Sequence, residues 1–176
     1  MPVEPVALSF YVASNLVLSA RDRLALFVVD NALLRLHIEC EYVKRDCVLC
    51  CSSCMTEISR KDYIFPMSSE GVHANYVNLG GYVHDLVTVS EARHIAMSGS
   101  PTAEHSWFPG YTWTVATCSS CGVHIGWRFV SMRRTLRPHH FYGLCRNYIE
   151  PRSIRDYPSP NAAQRELEME IVNLFR

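Results

Sequence analysis

Cys118-Ser119-Ser120-Cys121-Gly122-Val123-His124-Ile125-Gly126-Trp127-Arg128-Phe129 is the stretch whose reading decides the fold. It opens on a Cys-x-x-Cys pair, and Cys51-Ser52-Ser53-Cys54 repeats that spacing upstream. Two such turns each offer paired sulfurs at about 2.3 Å from one tetrahedral zinc ion. The roughly sixty residues between the pairs make the ion a long-range clamp on two distant β segments, not a compact finger. Cys47 with Cys50 offers a second Cys-x-x-Cys and a competing register, ranked below Cys51 with Cys54. Unrelated buried or disulfide-bonded pairs are the remaining alternative. Four thiolates would close the coordination sphere, so the zinc is expected to be structural, with no catalytic residue around it.

Composition narrows the classes. The 176 residues, 48% hydrophobic and 19% charged, suffice for one packed core with a helical appendage. Seventeen basic and seventeen acidic residues leave no basic footprint for a nucleic-acid backbone. Metal-type spacing among the eight cysteines argues for a reducing setting, cytoplasmic or nuclear. The apolar run Val6 to Val17 before Leu18-Ser19-Ala20 resembles a secretion signal only superficially, because Glu4 replaces the positive start and Ser14-Asn15 interrupt the run. No stretch reaches the roughly 20 apolar residues of a membrane span.

Ser19 and Asp22 resemble a capping box, and Leu24, Phe27, Val28, Leu34 and Ile38 recur at helical spacing. One amphipathic helix is therefore expected over residues 19 to about 41. Leu26, Val29, Leu33 and Leu36 widen its apolar face beyond one stripe. From Cys47 to about Arg134 short β-type runs replace the helical period, among them Tyr76-Val77, Leu86-Val87-Thr88-Val89 and Trp113-Thr114-Val115. Gly80-Gly81, Ser98-Gly99-Ser100-Pro101 and Pro109-Gly110 read as turns. Ser159 with Pro160 predicts a short C-terminal helix through Phe175. The expected organisation is a helical segment over 1–45, a zinc-pinned β domain over 46–152, and a linker with the final helix over 153–176.

Trp107, Trp113 and Trp127 fall within about twenty residues, with His105, Tyr111 and Phe129 among them. An aromatic core beside the zinc is one reading. A cage of indole walls for a flat, partly polar ring or a quaternary ammonium ion is the other.

The string from His105-Ser106-Trp107-Phe108-Pro109-Gly110 through Trp113, the second cysteine pair and Trp127 to Phe129 closely resembles the thalidomide-binding, or CULT, domain of the cereblon family. The likeness extends back through Ala74-Asn75-Tyr76-Val77-Asn78 and Cys50-Cys51-Ser52-Ser53-Cys54, and forward to Phe141-Tyr142-Gly143-Leu144. It implies a mainly β fold of the β-tent type, two sheets meeting at an angle and pinned by zinc. It further implies that Trp107, Trp113 and Trp127 wall a cage with Phe129 beneath and Asn78 on the adjoining loop. Cyclic imides such as glutarimide, uracil-like rings and imides at damaged protein C-termini would bind there, meeting His105 and the backbone N–H of Trp107. Leu79 replaces the proline usual in the family, which bears on the rim.

The resemblance also implies a partner, the adaptor of a cullin-RING ubiquitin ligase. The family contacts that adaptor through a helical bundle, of which Leu8 to Glu41 would be the last part, so weakened docking is expected. The same cysteine stretch is also similar to the zinc segment of methionine-R-sulfoxide reductases, which would make Cys145 a nucleophile. A methyl-ammonium reader is a third class, with Glu104 the nearest acid.

Overall fold

The computed structural model describes residues 2–69 and 71–154. Three helices come first: α1 (Pro5–Asn15), α2 (Ala20–Phe27) and α3 (Ala32–Lys44). Nine strands follow: β1 (Cys47–Cys51), β2 (Glu57–Arg60), β3 (His73–Val77), β4 (Val83–Val89), β5 (Ile95–Thr102), β6 (Tyr111–Cys118), β7 (His124–Ser131), β8 (His140–Cys145) and β9 (Ile149–Ser153). The C-terminal helix expected from Ser159 lies outside the described residues.

The long helix expected over 19–41 is two helices, and the apolar run before it is a third. Asn31 breaks the first expectation: its side chain accepts the Leu34 N–H at 3.0 Å and starts α3 afresh. The reversal lets Arg35 reach back to the end of α2. Its guanidinium donates to the carbonyls of Leu26 (3.2 Å) and Val29 and to Ser9 Oγ (2.6 Å), satisfying groups that a helix end leaves unpaired. The capping box forms, with Ser19 Oγ accepting the Asp22 N–H at 3.1 Å. In α1, Glu4 caps the amide of Ala7 and Pro5 occupies the first turn, a start signal overlooked within the apolar run. Ala13, Leu18 and Leu26 form a small core of their own inside this segment.

The β domain is two antiparallel sheets. One has the order β2-β1-β9, the other β3-β4-β8-β7-β6-β5. Leu49 and Ile58 from the first meet Val87, Val89, Ile125 and Leu144 from the second in one buried core. The segment Ser98-Gly99-Ser100-Pro101 is no turn between strands. It lies inside β5, where pairing with β6 slips between Ser98 and Thr102, because Gly99 (φ +82°) bulges an edge strand that tolerates proline.

Register then places the aromatic side chains. Trp113 on β6 pairs with Phe129 on β7, and Val115 pairs with Trp127, so Trp113, Trp127 and Phe129 share one face of the sheet. Gly126 makes this possible at φ +148°: a Cβ there would fall 2.0 Å from the carbonyl oxygen of Gly143 on β8. Beneath the indoles, Phe129 and Phe141 stack at 4.9 Å and Phe108 meets both edge-on. This phenyl layer forms a floor.

Candidate functional site: a four-cysteine centre beside an aromatic cage

The sulfurs of Cys51, Cys54, Cys118 and Cys121 all lie within 4.8 Å of one another. Cys51 Sγ and Cys121 Sγ are 3.7 Å apart, and Cys54 Sγ and Cys118 Sγ 3.6 Å. A zinc–sulfur bond of about 2.3 Å gives a tetrahedron with edges of about 3.8 Å, so the four residues fit a zinc ion. Backbone turns set the geometry: the Met55 N–H donates to Cys51 O and the Gly122 N–H to Cys118 O, each at 2.8 Å, folding both Cys-x-x-Cys segments alike. Burial pushes the Cys51 thiol up to about 12, so a bound cation is what would hold it as thiolate. Cys50, its chain neighbour, is buried with its thiol raised to about 11 and stands apart from the cluster. Alternation along β1 therefore resolves the register in favour of Cys51.

Asn78, His105, Trp107, Trp113, Trp127 and Phe129 line a single cavity of about 380 Å³, together with Val77, Leu79 and Gly80. Each indole is fixed by more than packing. Trp107 Nε1 donates to Val77 O at 2.9 Å, and Trp113 Nε1 to Glu104 O at 2.8 Å. Trp127 meets Trp107 edge to face at 4.9 Å and is backed by His84 at 4.9 Å and His124 at 4.7 Å. Those two histidines escaped the sequence reading, although His84 stands in an alternating run and His124 beside the second cysteine pair. His124 titrates below the ordinary histidine value because burial disfavours its charged form.

The polar edge of the cavity comes from two loops. Asn78 builds its own turn, accepting the Tyr82 N–H on Oδ1 at 3.0 Å and placing Nδ2 3.2 Å from His84 Nε2. His105 adopts φ +54°, a conformation that non-glycine residues rarely hold and that tends to cluster at binding sites. Its imidazole Nε2 lies 3.2 Å from Glu104 Oε1, and the Glu104 side chain is 76% exposed and does not line the cavity. Among the described residues, neither the carbonyl of His105 nor the backbone N–H of Trp107 has a hydrogen-bonding partner. Leu79 is exposed at the rim.

Cys145 is elsewhere. It ends β8, only 4% exposed, with its thiol pushed up to about 12 by burial and by the charge of Asp85. A thiol so placed is a poor nucleophile.

A paired-thiol zinc centre clamping two antiparallel sheets defines a class, and the sequence agrees. The chain belongs to the Yippee-Mis18 family, described as Yippee zinc-binding/DNA-binding /Mis18, centromere assembly, whose pattern matches residues 47–163. It carries one structural zinc, which Cys51, Cys54, Cys118 and Cys121 would hold. Within that class its curated relatives include cereblons. It is 41% identical to Protein cereblon of Xenopus tropicalis over 153 residues, covering 86% of this chain and 34% of that protein. Identity to the Gallus gallus protein is 40% over the same length, and to that of Drosophila pseudoobscura pseudoobscura 36% over 146 residues, 82% of this chain and 24% of that protein. The chain thus spans about a third or less of the length of these relatives. Among solved structures, the Mis18 Yippee-like domain aligns with TM-score 0.44 and 13% identity over 62% of this chain and 98% of its own.

Proposed function

We propose that the cage binds cyclic imides: glutarimide, uracil-like rings, and imide rings at the C-termini of damaged proteins. The observation that carries this reading is a cavity of about 380 Å³ lined by three indoles, two of them near-perpendicular, beside an acceptor and a donor uncommitted among the described residues, His105 C=O and Trp107 N–H. A cyclic imide presents the complement, an N–H flanked by two carbonyls on a ring of methylenes. The methylenes would bury against indole faces, the imide N–H would donate to His105 O, and a carbonyl would accept from Trp107 N–H.

The module is a receptor and not a catalyst in this reading. Four thiolates leave the zinc no open position for a water, and Cys145 is too deeply buried and too weakly acidic to attack a sulfoxide. Likeness to cereblons supports a role as substrate receptor for a cullin-RING ubiquitin ligase, in the cytoplasm or nucleus, with the ligase adaptor as partner. Co-purification with that adaptor tests this part, and weak docking by residues 1–176 is the expected result.

Titration with a glutarimide, a uracil and a trimethylammonium compound, followed by tryptophan fluorescence, tests the ligand class. Saturable quenching by the two imides and none by the cation is expected. Response to the cation alone would overturn the imide reading, and turnover of methionine sulfoxide would overturn the non-catalytic one.

A further inference from the structure

The seam between the helical segment and the larger sheet holds a group with no part in the cage or the zinc centre. His73 opens β3 and is 9% exposed, and neither ring nitrogen has a well-formed hydrogen bond among the described residues. Its imidazole faces the backbone of Leu16 between α1 and α2, Arg23 on α2, and Arg146 in the 3₁₀ turn Arg146–Tyr148. Arg146 Nη1 lies 3.1 Å from Asp85 Oδ2 on β4, while Arg146 Nη2 and Arg23 Nε are buried without hydrogen-bond partners among the described residues. The Asp85 carboxylate pairs with Arg146, while Arg23 Nη2 donates to the Leu18 carbonyl at 3.4 Å. Next to the imidazole the two parts of the chain meet closely, since a Cβ on Gly71 would fall 1.9 Å from Asn15 Oδ1.

We propose that His73 is a pH-sensitive latch: neutral, it lets α1 and α2 close on the sheet, and protonated, it adds a third positive charge to a buried site holding one negative charge and opens the seam. Burial, then Arg146, then Arg23 push its titration down to about 3 in the closed form, with the Leu16 backbone acting against them. A depressed histidine stabilises the closed form above the free value, about 6.5, and that stability is lost progressively as pH falls below it. The closed-to-open ratio should fall about tenfold between pH 7.5 and 5.5. The charged groups facing the ring are Arg146 and Arg23, with Asp85 reaching the site as the partner of Arg146. Glu39 on α3 titrates in the opposite sense, raised to about 7 by burial, and so cannot produce this loss.

Hydrogen exchange of the full chain carrying Glu39→Gln, which removes the opposing contribution of Glu39, at pH 7.5 and 5.5 and corrected for intrinsic exchange rates, reads the latch directly, with the further variants made in that background. Protection in residues 16–27 should drop about tenfold at the lower pH while residues 111–131 keep theirs. His73→Gln, which stays neutral at both values, should abolish the drop, whereas Arg23→Gln should keep it, because burial and Arg146 still hold the ring well below pH 5.5. Unchanged protection in the Glu39→Gln parent, the same drop with His73→Gln added, or a parallel loss in residues 111–131 would overturn the latch. Should His73→Gln fail to fold, His73→Asn takes its place: a full-size drop there overturns the latch as well.

Discussion

The indole of Trp107 stands at 82° to that of Trp127 with ring centroids 4.9 Å apart, although one side chain comes from the loop before β6 and the other from the middle of β7. Their corner is closed by the backing ring of His84, 5.5 Å from Trp107 and 4.9 Å from Trp127. Trp113 lines the same cavity.

Removing one wall should cost most of the affinity. Trp127→Ala and Trp113→Ala are each expected to weaken glutarimide binding by roughly 2 kcal/mol or more, about thirtyfold, with zinc content unchanged. Isothermal titration beside metal analysis checks this. Binding at wild-type affinity in both variants would return the indoles to a purely structural role.

Zinc should be indispensable to the β domain. Chelation, or Cys118→Ser, is expected to abolish the cooperative thermal transition seen by near-ultraviolet circular dichroism, since structural zinc contributes on the order of 10 kcal/mol in small domains. Metal analysis should find one zinc per chain. A chelated protein that kept its melting temperature would show that the clamp does not hold the sheets.

Cys145 should be inert while the fold is intact. Its burial and raised titration predict that iodoacetamide at pH 8 leaves it unmodified in native protein and alkylates it after denaturation, as read by peptide mass spectrometry. Rapid modification of the native protein would reopen the case for a nucleophile.

Glu39 gives the helical segment a pH dependence of definite sign. Its carboxyl is 1% exposed, both oxygens lack partners among the described residues, and burial raises it to about 7 against the opposing charge of Arg35. Stability from the protonated form is complete below about 4.5 and is lost as pH rises towards 7. Glu39→Gln should therefore raise helical stability at pH 8, by up to about 3 kcal/mol, and flatten the profile between pH 6 and 8. Far-ultraviolet melts at the two pH values check it, and a variant less stable than wild type at pH 8 would refute it.

The sequence alone pointed to paired Cys-x-x-Cys segments as a metal centre and to clustered tryptophans as a core or a cage. Zinc ligation demands particular side chains at particular spacing, and three tryptophans near one cysteine pair are a local signal that needs no tertiary information. The same holds for Ser19 with Asp22, whose cap is closed within four residues. Tertiary structure decided the rest. Asn31 ends one helix and starts another because Arg35 can then satisfy carbonyls at Leu26 and Val29, a gain that helical periodicity does not register. Gly99 and Pro101 look like a turn but sit inside an edge strand, since only the neighbouring β6 reveals where a bulge is tolerated. Cys51 is distinguished from Cys50 by the face of β1 it occupies, and His73 gains its character from Arg23 and Arg146, which are remote in sequence and close in space. Short-range chemistry is written in residue order, whereas burial and the sum of neighbouring charges exist only once the chain has folded.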